Sequence, residues 1–454
     1  MTKTPLPVQL TLNSPGDSAL AAQRIKTRSA YWLPKVTLAI CLSLLLGEGA
    51  ARLLTSAPEG EPARFKRFTL LPYQPTADSI ERWSAGMHSN DQIVLDPQLG
   101  WTIGPNCSDP WYRSNAQAIR ADPKRVFDHS LPSDRVRIMT VGDSFTYSDD
   151  GPLEATWQTQ LERLDAGLEV VNMGVPGYGT DQSLLRWERD GRPFASHIVA
   201  LGIWPENLCR NLNQNRYYLT LSPDYGFKPR FIFDEENFQL IEPPEWTVES
   251  LCATLKNPLD ATSLSHEAWL LAHEPGYASW MNSRLLRMGV SLWNYKHRRD
   301  LRQQIYDGHN PEALAVTLAI AHRFRTGVRD VGSIPLVILF PMKDLLERYG
   351  EHGSLPITKE LIAAGHDVLD LAPVFRERVL HDEAESLFQG GQASGHLTEV
   401  GNAIVAEAIR NHVQQVMSKN TNGFPARVTG GRPPQASENQ NKPPHATADS
   451  LGPP

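Results

Sequence analysis

The sequence predicts an α/β protein whose mainly parallel sheet is covered by helices on both faces. Two observations predict it: short apolar runs bounded by turn residues, and segments of helical periodicity that alternate with those runs. Apolar runs without a polar face are typical of parallel strands, which are buried on both sides. Strand and helix in alternation are typical of the α/β class. The strands are predicted at residues 136–141, 168–173, 197–203, 334–340 and 366–371. The helices that alternate with them are predicted at residues 152–164, 181–189, 311–331, 342–349, 358–364 and 398–417.

The bulk composition leaves room for one large domain or two ordinary ones, with appendages. The chain has 454 residues, of which 41% are hydrophobic and 21% are charged. A net charge of -7 gives no support for binding nucleic acid through a basic surface. We therefore expect no nucleic-acid partner.

The four cysteines are scattered, without a Cys-x-x-Cys pair or a zinc-type Cys/His cluster. The sequence therefore predicts neither a metal nor a cofactor. All four could be buried thiols. In an oxidising compartment, two of Cys107, Cys209 and Cys252 could instead be bridged, and the sequence does not select the pair.

An apolar segment at residues 31–54 is long enough to cross a membrane, which needs roughly 20 mostly apolar residues. It reaches that length by including Lys35, Glu48 and Arg52, of which Glu48 fits least well. We interpret it as a single-pass signal anchor, with a cleaved signal peptide and a buried helix of a soluble protein as alternatives. Basic residues before the segment place residues 1–30 in the cytoplasm.

The rest of the chain divides by composition. Residues 55–94 are rich in proline and polar residues and are predicted to be a linker, and residues 95–417 form the main domain. Within it, residues 211–310 interrupt the alternation as an insert, which is either a cap with its own small core or a lid over the substrate. Residues 418–454 have almost no large apolar side chains and are predicted to be a disordered tail.

Four segments at predicted strand ends or before the last helix carry residues suited to acyl chemistry. Ser144 ends the first strand in a Gly-Asp-Ser turn, Gly174 follows the second strand, and Asn207 follows the third. His396 precedes the last helix. Each has an ordinary explanation as a turn, cap or surface residue. Together they supply a hydroxyl nucleophile, a base and N–H donors at the sheet edge where α/β proteins place ligands.

These segments resemble the SGNH (GDSL-type) hydrolase superfamily. The similar motifs are Gly-Asp-Ser-Phe-Thr at 142–146, Asn-x-Gly-x-Pro-Gly-Tyr-Gly at 172–179, the strand-end Asn207, and His396 followed by Gly-Asn at 401–402. Further stretches are similar to bacterial membrane-anchored members that are associated with cell-surface glycans. These stretches are Leu-Gly-Trp at 99–101, Arg-Ser-Asn at 113–115 and Lys-Pro-Arg at 228–230.

The resemblance implies a three-layer α/β/α sandwich with a flavodoxin-like parallel sheet. It implies that Ser144 is the nucleophile and His396 the general base. The oxyanion hole would consist of the Ser144 and Gly174 backbone N–H groups and the Asn207 side chain. The expected substrate is an acyl ester, such as an acetyl ester of a cell-surface polysaccharide. Together with the predicted anchor at residues 31–54, we expect the catalytic domain on the periplasmic side of the inner membrane.

One departure from the family pattern concerns the acid of the triad. The family usually has an Asp two or three residues before its His, and here those positions are Ser394 and Ala393. The site is then a Ser–His dyad, or a carboxylate arrives from elsewhere, with Glu399 and Asp370 as candidates, or catalysis has decayed. An imidazole without a carboxylate partner loses orientation and several powers of ten in rate.

Three functions follow from these observations. The first is a membrane-tethered serine esterase or acyltransferase. The second is a glycan-binding or assembly scaffold that has lost catalysis, in which aromatic residues of the insert stack on sugars. The third is a soluble cytoplasmic lipase-like enzyme, which requires that residues 31–54 do not enter a membrane.

Overall fold

The computed structural model describes most of the chain between residues 15 and 419. The described ranges are 15–56, 63–66, 68–71, 75–88, 92–221, 224–270, 282–346, 348–349, 354–381, 384–389 and 395–419.

Eleven strands are assigned within these ranges. They are β1 (Arg64–Phe65), β2 (Phe68–Thr69), β3 (Ile93–Asp96), β4 (Gly100–Ile103), β5 (Val136–Val141), β6 (Leu168–Asn172), β7 (Ile198–Ile203), β8 (Arg230–Asp234), β9 (Asn237–Ile241), β10 (Ile334–Leu339) and β11 (Val368–Asp370).

Fifteen α-helices are assigned within the same ranges. They are α1 (Pro15–Leu54), α2 (Ala77–His88), α3 (Ser144–Tyr147), α4 (Trp157–Leu164), α5 (Thr180–Arg186), α6 (Pro205–Arg210), α7 (Arg216–Thr220), α8 (Val248–Lys256), α9 (Arg284–Tyr306), α10 (Pro311–Asp330), α11 (Lys343–Leu346), α12 (Pro356–Ala363), α13 (Ala372–Leu380), α14 (Ala384–Leu387) and α15 (Glu399–Lys419).

Five of the strands form one parallel sheet with the order β11-β10-β7-β5-β6. The chain runs from β5 to β6 on one side and then returns to β7 on the other side of β5. Such a reversal opens a crevice beyond the carboxyl ends of the two strands, where open α/β sheets bind ligands. The sheet therefore predicts a site between the ends of β5 and β7.

Side chains alternate between two apolar layers along β5. Val136 and Ile138 pack with Trp157 of α4 and Val405 of α15 on one face. Met139 and Val141 point to the opposite face, which packs against α5 and α10. The prediction of a sheet covered on both faces in an α/β/α sandwich is confirmed.

The apolar strands β5 and β6 each contain one buried charged residue, and these two residues pair with each other. Arg137 lies within β5 with its side chain 2% exposed, and it stands opposite Glu169 on β6. Its Nε donates to the Glu169 carboxylate over 2.6 Å, and its Nη1 donates to three backbone carbonyls. A buried guanidinium is tolerated in a strand because its donors are satisfied in this way.

The predicted strands match the observed ones to within two residues at each end, because apolar runs bounded by turns are unambiguous. The helices agree less closely: the helix predicted at 342–349 is a single turn, α11, and that at 152–164 begins with a 3₁₀ turn before α4. The last helix, predicted at 398–417, extends to Lys419.

The segment predicted as a linker is partly packed. Residues 55–94 contain β1, β2, α2 and the first part of β3, and Ile80 of α2 is fully buried in the main core. At the amino end, α1 begins at Pro15, well before the apolar stretch predicted at 31–54. Residues 1–14 and 420–454, which include nearly all of the predicted tail, lie outside the described residues.

The insert at 211–310 shares the core of the sheet. Its buried Tyr217, Tyr218 and Trp269 belong to the same apolar cluster as Leu201 of β7. Lys228 of the insert is buried against Asp181 of α5, and this ion pair ties the two regions together. A cap with a separate small core is therefore not what is observed, and these three aromatic residues face the core rather than a sugar.

No disulfide joins any of the four cysteines, all of which lie in the described part of the chain. Cys107, Cys209 and Cys252 are buried, and Cys41 is exposed on α1. The alternative with a disulfide among the three buried cysteines is therefore wrong for this structure.

Candidate active site

Ser144 lies at the carboxyl end of the central strand β5, at the first position of the short helix α3. Asp143 caps that helix, and its Oδ1 accepts a hydrogen bond from the Phe145 N–H over 2.9 Å. The cap forces a sharp turn between strand and helix. Ser144 is consequently held at the mouth of the crevice between β5 and β7, with 5% of its surface exposed.

Two glycines make room for this turn. A Cβ at Gly142 or at Gly202 of β7 would lie 2.0 Å from Oγ1 of Thr146, which occupies the space between them. No side chain fits at either position without moving α3. The Gly-Asp-Ser-Phe-Thr motif thus has a steric explanation that is independent of chemistry.

His396 reaches Ser144 from the segment before α15. The flanking Leu397 pairs with Phe388 in an isolated bridge, and the Gln389 N–H donates to the His396 carbonyl over 2.8 Å. The imidazole stands edge-on to the Phe145 ring, with 5.2 Å between ring centroids. Backbone pairing and aromatic packing therefore fix the ring on both sides.

Three side chains of the types found in a hydrolytic triad meet at this point. His396 Nε2 lies 2.9 Å from Ser144 Oγ, and His396 Nδ1 lies 2.6 Å from Oδ2 of Asp150. Because a carboxylate only accepts, the neutral imidazole donates its Nδ1–H to Asp150 and accepts the Ser144 hydroxyl proton at Nε2. This is the arrangement in which a histidine acts as general base toward a serine.

Asp150 occupies a strained turn that is held from two sides. It has φ +59°, and Ser148 has φ +57°, both in the left-handed region. The Arg120 guanidinium, 3% exposed, donates to the carbonyls of Ser148 and Gly151. Gln389 donates its side-chain amide to the Asp150 carbonyl over 2.6 Å. Gln389 thus joins the turn that carries the acid to the segment that carries the base.

The sequence did not single out Asp150 as the triad acid. The two proposed candidates lie elsewhere. The Asp370 carboxylate accepts the N–H of Ala372, the first residue of α13, at the edge strand β11, three strands from β5. Glu399 is exposed at the start of α15. Since Nδ1 of His396 is already occupied by Asp150, neither is its partner. The Asp-Asp-Gly turn at 149–151, which ends seven residues after Ser144, was the available signal.

The predicted oxyanion donors are arranged differently from the expectation. Among the described residues, the Ser144 N–H has no hydrogen-bond acceptor, as suits the first residue of a helix. The Gly174 N–H donates to Asn172 Oδ1 over 3.0 Å. Asn207 Nδ2 donates to both the Asp143 carboxylate and the Tyr178 carbonyl. Of the three predicted donors, only the Ser144 N–H lacks another acceptor in the described part of the chain, and the donor roles of Gly174 and Asn207 stay predictions.

Gly174 and Asn207 instead organise the walls of the site. A Cβ on Gly174 would lie 2.4 Å from the Tyr147 nitrogen, so glycine lets its loop lie against α3. Asn207 and Arg210 of α6 both donate to Oδ2 of Asp143 over 3.0 Å. These bonds fix the Asp143 cap, and hence the Ser144 turn, to the end of β7.

A second carboxyl group, that of Asp149, lies beside the triad acid. Burial raises the pKa of Asp149, nearby His396 lowers it, and the neighbouring Asp150 raises it further. Tyr112 adjoins the same pair, and burial together with these two carboxylates raises its pKa to about 12. The phenol is therefore neutral at physiological pH.

We expect Asp149→Asn to raise the melting temperature at neutral pH. Because the pKa of Asp149 is higher in the folded protein than in the unfolded chain, ionisation costs stability as the pH rises above the ordinary aspartate pKa of 3.8. The amide removes that cost and keeps the Oδ1 acceptor for the Asp150 N–H. Thermal melts of parent and variant should differ at pH 7 and converge below pH 3.8. An equal difference at both pH values would contradict the assignment.

A cavity of about 470 Å³ adjoins the loop that follows β6. Pro176 and Gly177 form one wall, and the rings of Trp83 and Trp101 form others. The same loop contacts the Gly142-Asp143-Ser144 turn, since the Val175 N–H donates to the Gly142 carbonyl over 3.0 Å. The described residues contain no group of three or more potential metal ligands.

Comparison with known proteins gives remote structural matches alone. No family model matches the chain, and no curated protein matches it. An acetylxylan esterase from Geobacillus stearothermophilus, solved as a catalytic mutant, is 12% identical with a TM-score of 0.33, covering 63% of this chain and 96% of that one.

Two further solved structures are similar over nearly their whole length. A lipolytic protein of the G-D-S-L family from Desulfitobacterium hafniense DCB-2 is 12% identical with a TM-score of 0.29, over 61% of this chain and 99% of that one. A lipase/acylhydrolase from Enterococcus faecalis is 12% identical with a TM-score of 0.30, over 61% and 95%. The assignment of a reaction to this chain therefore depends on the geometry of its own site.

Proposed function

We propose that the protein is a serine esterase or O-acyltransferase of the SGNH type that acts on acyl esters. The observation that carries this proposal is the chain of two hydrogen bonds from Ser144 through His396 to Asp150, 2.9 Å and 2.6 Å long. A nucleophile, a base and an acid within hydrogen-bond reach of one another are what acyl transfer needs.

The reaction follows from these positions. Ser144 Oγ attacks the ester carbonyl while His396 Nε2 takes the hydroxyl proton, and Asp150 stabilises the imidazolium that forms. The negative charge on the carbonyl oxygen develops toward the Ser144 N–H. The imidazolium then protonates the departing alcohol. A water molecule or a sugar hydroxyl, deprotonated by His396, attacks the acyl-serine and restores the enzyme.

Acetyl esters of a polysaccharide are the proposed substrates. The cavity lined by Pro176 and Gly177 of the loop after β6 supports a sugar in particular, because two indole rings and the polar side chains of Arg216 and Asp224 also line it. Aromatic faces with a few polar groups suit a pyranose ring, which has both apolar and hydroxyl-bearing surfaces.

The proposed location is the inner membrane, with the catalytic domain in the periplasm. The support is Pro34–Leu54 of α1, which has 21 residues, a mean hydropathy of 1.6 and 6% of its most apolar window buried. A core helix of a soluble protein would be mostly buried, so the low burial disfavours the cytoplasmic lipase-like alternative. Arg24, Lys26 and Arg28 before the span favour a cytoplasmic amino end.

Two observations weigh against the scaffold alternative. The carboxylate that the sequence lacked before His396 is supplied by Asp150. The insert tyrosines Tyr217 and Tyr218 are buried in the core rather than presented to a glycan.

The test uses the full chain in detergent with 4-nitrophenyl acetate and with acetylated oligosaccharides, with or without an unacetylated acceptor. We expect acetate release or acetyl transfer from both donors. Trp83→Ala should raise KM for the oligosaccharide and leave the aryl acetate rate unchanged, while Phe233→Ala, an exposed aromatic outside the cavity, should change neither. Failure to cleave or transfer any acyl ester would reject the proposal.

A further inference from the structure

The end of the apolar helix α1 is bonded to the start of α9. The Glu48 carboxylate accepts hydrogen bonds from the Ser283 hydroxyl over 2.7 Å and from the N–H groups of Arg284 and Leu285 over 3.0 Å. These N–H groups belong to the first turn of α9, which has no intrahelical partner for them. Glu48, which fits a membrane span poorly, thus acts as a cap for another helix.

Close packing accompanies these bonds. A Cβ on Gly47 of α1 would lie 3.0 Å from the Leu285 side chain, so glycine lets the two helices approach. Arg52 donates to the Asn282 carbonyl over 3.0 Å. The start of α9 is therefore held at the level of the last two turns of the apolar span, where a membrane helix meets the aqueous interface.

One face of α9 exposes large apolar residues and then cations. Leu286, Leu292 and Trp293 are 47%, 56% and 43% exposed, and Lys296 and Arg299 follow with side chains 65% and 78% exposed. Steps of three and four residues place the members of this group on one side of a helix. We name it the α9 outer stripe: Leu286, Gly289, Leu292, Trp293, Lys296 and Arg299.

The opposite side of α9 packs against the protein. Ser291 Oγ accepts from the Leu71 N–H over 2.8 Å, and Arg287 donates to the carbonyls of Leu70 and Leu71. Farther along, Arg302 of α9 pairs with Glu206 of α6, the helix that also fixes the Ser144 turn. The orientation of α9 is thus fixed, with its outer stripe turned away from the domain.

We propose that the α9 outer stripe lies in the headgroup region of the membrane that α1 spans, and that Lys296 and Arg299 bind the phosphates of anionic lipids. The proposal rests on the proposed insertion of α1. Tryptophan and leucine beside lysine and arginine are typical of helices that lie in the membrane interface.

The local charge supports an anionic headgroup in particular. A cavity of about 730 Å³ is lined by Lys296 and Arg299 of the stripe and by the neighbouring Arg298, Arg302 and Glu206. Arg302 is paired with Glu206 and Arg298 is buried, so the cations open to solvent are Lys296 and Arg299. The Asp300 carboxylate contacts both Lys296 and Arg299, and it reduces the net positive charge of this group without cancelling it. Basic residues near a membrane surface are attracted by anionic lipid.

The experiment places a fluorescent label on the stripe of the full chain in vesicles of phosphatidylcholine and phosphatidylglycerol. Gly289→Cys offers a site where an added Cβ meets nothing within 4 Å, in a Cys41→Ser background whose remaining cysteines are buried. Lipids that carry a nitroxide at the headgroup or deep in the acyl chain serve as quenchers. Glu407→Cys, exposed on α15, is the matched control.

We expect headgroup nitroxide to quench the Gly289→Cys label severalfold more than the Glu407→Cys label. A label on native Cys41 should be quenched by the deep nitroxide. Lys296→Glu combined with Arg299→Glu should lower the quenching at Gly289→Cys in anionic vesicles and leave it unchanged in neutral ones.

Each remaining outcome overturns part of the account. If Cys41 is quenched and Gly289→Cys is not, the stripe does not contact lipid although α1 is inserted. If quenching is the same with and without the charge reversals, anionic headgroups are not the ligand. If Cys41 is not quenched, α1 is not in the bilayer and the inference falls with it. Ester hydrolysis, measured on the same samples, tests the proposed reaction separately.

Discussion

Ser144→Ala is expected to lower the rate of aryl acetate hydrolysis by about 10⁴-fold or more, because it removes the nucleophile on which the other triad residues act. Removal of one hydroxyl group leaves too small a space to unfold the protein, and alanine is well tolerated in the first turn of a helix. Steady-state release of 4-nitrophenol by the full chain measures the effect. A melting temperature within a few degrees of the parent shows that the fold survives.

Ser183→Ala is the matched control for a buried serine. Its hydroxyl donates to the carbonyl of Gly179, the residue that precedes α5, and does not contact the triad. That variant should keep the parent rate. Hydrolysis by Ser144→Ala at the parent rate would mean that this serine is a turn residue only.

Asp150→Asn is expected to lower kcat by between about 10² and 10⁴-fold with KM little changed. The amide keeps the size of the side chain and loses the charge that stabilises the imidazolium. The lower bound allows for solvent, because the Asp150 side chain is 49% exposed and water can take part of its place. Michaelis profiles on the aryl ester separate the two constants.

The two carboxylates considered from the sequence provide the controls. Asp370→Asn and Glu399→Gln change an acid that does not touch His396, and both should hydrolyse the ester within about twofold of the parent. If either variant loses as much activity as Asp150→Asn, or if Asp150→Asn loses none, the acid of the triad is assigned to the wrong residue.

Strand positions and the nucleophile were predictable because they depend on local sequence. An apolar run that ends in Gly-Asp-Ser places Ser144 at a sheet edge in any parallel arrangement. His396 was predictable from its order in the chain and from the motif around it. Both inferences needed the fold class, and neither needed a contact between distant residues.

The acid was not predictable because its position depends on backbone conformation. Asp150 reaches His396 through a turn with two left-handed residues, held by Arg120 and Gln389 from distant parts of the chain. The local sequence Asp-Asp-Gly is equally compatible with an ordinary solvent-exposed turn that contacts no histidine. Asn207 illustrates the same limit of local sequence. A side-chain amide can donate to an oxyanion, yet here the Asn207 amide donates to the Asp143 carboxylate, which the sequence alone does not reveal.

The insert and α9 show what periodicity alone misses. The residues between β7 and β10 lack strand–helix alternation, yet they contain a helix of 23 residues and share the main core. The first turn of that helix, α9, is capped by Glu48, which lies 235 residues before Ser283 in the chain. From the sequence alone, the Glu48 carboxylate was only a residue that fitted a membrane span poorly.

Covalent labelling tests the triad most directly. The full chain is treated with a fluorophosphonate at neutral pH, and the modified peptide is located by mass spectrometry. We expect one adduct per chain, on Ser144, formed far more slowly in Asp150→Asn and absent in Ser144→Ala. No adduct, or an adduct on another serine that persists in Ser144→Ala, would contradict this expectation.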